Sequence, residues 1–279
     1  MPSILRNRNF MLLWTATLIS RAGDTFTFLA LAVKIDSLYA DAGGSARALG
    51  MVLIAYALPQ LLLSLFAGTL VDRWDRRRVM VAADVLRAGL APAFILLQSA
   101  TDVPWAAVVA FGLSSFGVFF YPARTALLPN LVDEAELITA NSYLQVGETV
   151  ARLSGPVLAG IVLGVWGPTT AFFVDGASFL ASGLLLVGIR GVVTKVEREP
   201  GGADSTLRDL RQGVRYALGS RLLQGVTIGL ALAVLGIGAV DVLFVPFMRD
   251  AFSAPPEALG LLMTAQGVGM LVGGGLMSA

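Results

Sequence analysis

The side chains able to do chemistry in this chain are few, and most sit where they are costly. There is no cysteine and no histidine. That removes thiol chemistry, disulfides and the commonest transition-metal ligands, so neither a metal site nor a cofactor is expected. It also removes the side chain that titrates near neutrality unperturbed, and any proton handling falls to Asp or Glu. The candidates lie inside long apolar runs, where an ionisable group costs about 2.5–3.5 kcal/mol on insertion scales and is a functional candidate by default. Arg21 and Asp24, at i, i+3, share a helix face and can partly neutralise each other, either as a self-satisfied pair or as a charged site on a central cavity. Glu148 and Arg152 form an i, i+4 pair. Asp175 and Asp241 have no basic partner on their own helix, so each either loads and releases a proton or lies near a solvated boundary. Asp84 and Arg87 fall close after a cluster of arginines and are expected to extend its charge network.

The elements that must position these residues are helices. Of the 279 residues, 56% are hydrophobic and only 14% charged, with mean hydropathy +0.77. A soluble domain carries nearer ~25% charged residues, so the composition belongs to an all-α, polytopic membrane protein. The net charge of +1 argues against a nucleic-acid surface. Eight spans can be drawn, at about 10–35, 51–71, 79–98, 104–122, 142–165, 169–189, 222–246 and 259–278. The first is too long for a signal core and shows no clear cleavage site. Connections are short except between spans 6 and 7, where residues 206–218 read as an amphipathic surface helix carrying Arg208, Arg211 and Arg215 on one face. Fourteen basic residues fall in the amino terminus and in the 2–3, 4–5 and 6–7 connections, against two in the opposite loops. The positive-inside rule therefore places the amino terminus and the central loop in the cytoplasm. Residues 1–189 read as a six-span lobe, 190–221 as a linker and 222–279 as the first two spans of a second lobe. Weak internal similarity, Ala48-Leu49-Gly50 against Ala258-Leu259-Gly260, suggests parallel repeats. On that reading the second copy stops at Ala279, about four spans short.

Two local motifs stand out. Gly68-Thr69-Leu70-Val71-Asp72-Arg73-Trp74-Asp75-Arg76-Arg77-Arg78 is a very short charged turn between spans 2 and 3. It is either a latch between moving parts or a positive-inside anchor, and Gly68 offers close approach to a neighbouring backbone. In span 5, Pro156 is expected to bend the helix, and Gly155 and Gly160, with Ala151 and Ala159, form a face for close packing. Trp105 and Trp166 sit at the expected outer ends as interfacial anchors.

The turn, Gly68-x-x-x-Asp72-Arg73-x-x-Arg76-Arg77, resembles the signature of the major facilitator superfamily. Gly155-Pro156-x-x-Ala159-Gly160 resembles the span-5 motif of its drug–proton antiporters. Arg6-Asn7-Arg8-Asn9-Phe10, Pro122-Ala123-Arg124-Thr125 and Ala140-Asn141-Ser142 look like the macrolide-efflux and enterobactin-exporter branch. The resemblance implies a two-lobed major facilitator fold working by alternating access, here a complete amino-terminal lobe plus two helices of the second. It implies that the Asp72 turn, with Arg73, Arg76 and Arg77, stabilises one arrangement of the lobes. Two departures stand out: Asp75 replaces a customary glycine, and span 4 lacks the arginine that many drug–proton antiporters carry there. The expected activity is proton-coupled efflux of amphipathic small molecules such as a macrolide or siderophore, by a monomer in the cell (inner) membrane. Its partners are the small-molecule substrate, protons and the lipid bilayer, with no nucleic acid. A lipid or lysolipid translocator of the same fold and a non-transporting fragment are the alternatives. A membrane-embedded enzyme is disfavoured by the lack of His, Cys and a spaced ligand set.

Overall fold

The computed structural model describes residues 3–39, 43–71, 73–191, 219–252, 262 and 265. Among them the regular structure is helical throughout. Helix α1 spans Arg8–Leu38, α2 Ser45–Val71, α3 Arg76–Leu90 with a 3-10 continuation Ala91–Leu96, α4 Val103–Leu127, α5 Leu137–Val187 and α6 Arg221–Phe252. Five of these segments, α1 to α5, are long and apolar enough to cross a membrane. The expected eighth span (apart from residues 262 and 265), the amphipathic segment 206–218 and Asp72 lie outside the described residues.

Helix α5 explains why six expected spans appear as five helices. Its 51 residues would run about 76 Å if straight, more than twice the ~30 Å of hydrocarbon. The backbone breaks at Gly167, whose φ of 79° lies in the left-handed region that glycine enters without penalty. Pro168 follows, fixing the start of the second arm. The contacts show the arms to be antiparallel: Gly147 and Gly188 both abut one end of α1, at Trp14 and Leu12, while Gly155 and Ser178 lie deeper, against Thr25 and Gly23. Through Pro156, where a bend is expected, the dihedrals stay helical, and the non-helical break falls at Gly167, where two membrane-length segments must meet.

Packing follows from close approach rather than bulk. At Gly147 a Cβ would lie 2.7 Å from Trp14 Nε1, and at Gly155 2.7 Å from Thr25 Oγ1. Only glycine lets α1 sit so tightly on the first arm, which is how helices gain contact when lipid offers no competing water. Around Gly68, by contrast, a Cβ would meet no described atom within 4 Å; the expected close approach is not made among the described residues. Helix α2 packs on α4, α3 lies between α4 and the second arm, and Phe244 and Met248 of α6 rest on the outer core.

The core has two apolar clusters. One, including Phe26, Leu29, Phe94, Leu113 and Phe172, fills the half remote from the charged turn. The other, including Ile4, Phe10, Met80, Leu127 and Leu186, fills the arginine-rich half. Between them α1, α3, α4 and the second arm all turn polar at the same depth, with Thr17, Ser20, Asp84, Arg87, Ser114 and Ser182 buried there. Helix α1 is the most buried of the spanning candidates and the least apolar.

The branch-like motif Arg6 to Phe10 has a structural task. Asn7 caps α1 by accepting from the Phe10 N–H and donates to the Leu131 carbonyl at 2.6 Å. Asn9 donates to the Arg190 carbonyl and accepts from its N–H, so the amino terminus is stitched to the far end of the second arm. Asp75, the departure from glycine, caps α3 by accepting from the Arg78 N–H at 2.9 Å.

Candidate functional site

The charged turn acts first on its own neighbours. Arg77 donates to the Leu186 and Val187 carbonyls at 2.9 and 2.6 Å, and Arg76 donates to the Ala126 carbonyl at 3.2 Å. These are last-turn carbonyls of α5 and α4, at the negative end of each helix's macrodipole. Two turn arginines therefore clasp two helix ends, while Arg73 stays exposed. Arg77→Ala is expected to lower the melting temperature of the purified protein by several degrees, through the loss of two charge-assisted bonds worth about 1.5–3 kcal/mol each. An unchanged melting curve would remove this clasp from the account.

The polar layer holds the second feature. Asp84 and Arg87, expected to extend the turn's charge network, do something else. Arg87 lies eleven residues into α3, about 16 Å along the helix axis from Arg76, and reaches across to α1. Its Nη2 pairs with Asp24 Oδ1 and its Nη1 donates to Ser20 Oγ at 3.4 Å. The guanidinium lies over the Phe179 ring, 3.8 Å from its centroid. Behind it Asp84 Oδ1 stands 3.7 Å from Nη1. Asp24 keeps its expected neighbour, with Arg21 Nη1 at 3.5 Å from Oδ2. The guanidinium is thus held between a carboxylate facing a cavity and one sealed in the core: the Asp24 side chain is 20% exposed and that of Asp84 0%.

Asp175 joins this neighbourhood from the second arm. It is fully buried against Gly23, with Ser178 Oγ donating to its Oδ1 at 3.3 Å and its Oδ2 without a hydrogen-bond partner among the described residues. The alternative of a solvated boundary position is therefore set aside. Asp241 lies on α6, and its side chain is outside the described residues.

Spacing pairs Glu148 with Arg152. The structure pairs it across helices with Arg124 of α4, at 2.5 Å. Arg124 is buried and also faces the Tyr121 ring at 4.6 Å, whereas Arg152 is exposed on the outer side of its helix. A part-buried carboxylate takes the cation that shares its environment, since a solvated partner at i+4 is already satisfied.

Two adjoining cavities meet at Asp24. The polar one, ≈ 230 Å³, is walled by Asp24, Arg87, Ser20 and Tyr121 together with Tyr56, Gln60 and Ser64 of α2. The apolar one, ≈ 290 Å³, is walled by Phe28, Leu31, Val52, Leu53, Phe94 and Leu113 with Asp175 at its edge. Arg21, Asp24 and Tyr56 border both. Such a chamber presents an apolar wall and a charged end to one ligand, the usual construction of a small-molecule site. Tyr56, Gln60, Ser64 and Arg124 are site residues that sequence reasoning missed. The first three carried a usable signal, four-residue spacing in a run otherwise apolar from Met51 to Ala67.

The chain as a whole is similar in sequence to known proteins. The chain matches the family described as transmembrane secretion effector over residues 2–279. It is 28% identical to the multidrug efflux pump Tap of Mycobacterium tuberculosis over 99% of this chain and 66% of that protein. It is 26% identical to macrolide efflux protein A of Enterococcus faecalis, over 84% of this chain and 72% of the relative. An uncharacterised MFS-type transporter of Bacillus subtilis, YkuC, is 26% identical over 97% of this chain and 64% of its own length. The chain thus spans about 64% of that relative. With a family match across nearly every residue, relatives that are efflux proteins and a bundle of apolar helices, the chain belongs to the transmembrane secretion effector family of major facilitator transporters and is a multi-pass membrane protein.

Proposed function

We propose that this protein exports amphipathic small molecules across the cell membrane, coupled to inward proton movement by alternating access. The observation that carries this reading is the position of Asp24: a carboxylate at mid-depth in α1, bordering both cavities and bonded to a guanidinium that is itself buried. A group so placed can exchange its cationic partner for a proton or for a ligand amine. A binding event can thereby alter the contact between α1 and α3, as coupling requires. The names of the relatives support a drug-like substrate, a macrolide among the candidates. Basic residues concentrated at the charged turn, amino terminus and central connection support the orientation with these parts in the cytoplasm. The Asp72 turn then stabilises one arrangement of the two lobes from that face, in addition to the clasp within this one.

Asp24→Asn keeps the size of the side chain and removes the exchangeable proton. It is expected to abolish substrate-dependent proton movement in proteoliposomes while the protein still reaches the membrane. Proton movement at the wild-type rate would take Asp24 out of the mechanism.

A further inference from the structure

Helix α2 is apolar from Met51 to Ala67 apart from three residues, Tyr56, Gln60 and Ser64. They stand four apart, so they form one stripe along the helix, about 12 Å from first to last at 1.5 Å per residue. All three border the cavity that Asp24 and Arg87 border from the other side. Tyr56 is 38% exposed, and Gln60 and Ser64 are exposed as well. Among the described residues no protein group hydrogen-bonds their side chains. A polar side chain in a spanning helix ordinarily finds a partner in its own backbone or a neighbour; Ser115, Thr125 and Ser154 each donate to a carbonyl four residues back. The α2 stripe is left unspent.

We infer that Tyr56, Gln60 and Ser64 form a substrate-recognition ladder for an amphiphile bearing several neutral oxygen groups, hydroxyl, ether or carbonyl, along one edge. Hydroxyl and amide groups both donate and accept without charge, so the ladder suits neutral oxygens rather than ions. The spacing sets the length of the edge it can match. Asp24 and Arg87 across the cavity carry the charge, and the adjoining apolar chamber takes the hydrocarbon body. This assignment rests on the export reading above and adds its chemical preference. A site built to hydrogen-bond a ligand discriminates against one that lacks the groups, because its own polar atoms are then left unpaired.

The test compares export of two probes from cells: erythromycin, oxygen-rich, and ethidium, an amphipathic cation with no oxygen. Tyr56→Phe, which removes one oxygen and little else, and the triple variant Tyr56→Phe/Gln60→Leu/Ser64→Ala are measured beside the wild type, with membrane abundance checked. The erythromycin-to-ethidium export ratio is expected to fall about tenfold per lost hydrogen bond at most, and further in the triple variant. An unchanged ratio, or an equal loss of both probes, overturns the ladder while leaving the export reading intact. Wild-type export of ethidium alone also overturns it. Export of neither probe by the wild type removes the export reading and the ladder with it. If the triple variant fails to reach the membrane, Tyr56→Phe alone decides.

Discussion

Arg87→Ala is expected to abolish export and to destabilise the purified protein by about 3–5 kcal/mol, the usual cost of removing one partner from a buried ion pair. The size follows from what is left behind. Asp24 loses the cation it bonds most closely, and Asp84 loses its only charged neighbour within 4 Å among the described residues. The Phe179 ring loses the guanidinium over its face. Asp84 and Phe179, both fully buried, cannot turn to water without opening the polar layer. Arg87→Lys keeps the charge but not the planar fork that serves Asp24 and Ser20 together, so it should retain stability better than it retains transport. The double variant Arg87→Ala/Asp24→Asn neutralises the cavity-side orphan and should regain part of the lost stability while remaining inactive. Thermal melting in detergent, read beside vesicle transport, separates these outcomes. A melting temperature for Arg87→Ala equal to wild type would show that the guanidinium is not the hub of the layer.

The second large effect is expected at Arg124 and Glu148. Each single variant, Arg124→Ala or Glu148→Gln, strands a group that is at most 16% exposed. Each should cost about 2–4 kcal/mol, less than at Arg87, whose loss also strands the fully buried Asp84. The double variant should be no worse than the poorer single one, giving a coupling energy of about 1–3 kcal/mol in a double-mutant cycle. Arg152→Ala, at the position that spacing alone would pair with Glu148, should change stability by less than about 0.5 kcal/mol. If Arg152→Ala proves the costlier variant, the pairing across helices is wrong.

The contrast between these arginines shows how far the sequence carries. Hydropathy and length locate the helices because a span has few ways to satisfy its backbone in lipid. The Arg21–Asp24 pair was legible because both partners ride on one helix, where 3.6 residues per turn fixes who meets whom. Glu148 shows the weakness of that rule: correct spacing names a possible partner, and a better one on the next helix wins. Arg87 shows it again, since nothing in α3 states that this residue will face α1 rather than the charged turn. Such facts depend on how helices are rotated against one another, and that is set by glycine contacts such as Gly155 on Thr25, scattered along partners far apart in sequence. The polar stripe on α2 was the opposite case, a periodic signal visible in one helix whose use became evident only once the cavity was in place. Gly167 was legible as a boundary, since neither arm could be longer than the membrane.

The burial of α1 bears on how the protein is made. As the first of the described spans to leave the ribosome, it must enter the bilayer when none of those neighbours yet exists. It is also the least apolar of the five spanning candidates and carries Arg21 and Asp24 at mid-depth. Arg87, which relieves Asp24, is synthesised more than sixty residues later, and the hairpin of α5 that covers both flanks of α1 later still. Early in synthesis α1 is therefore held at a cost of a few kcal/mol on the insertion scale. Its placement becomes secure only when Arg87 of α3 and then the hairpin of α5 arrive, so the most buried of these spans is among the last to be settled.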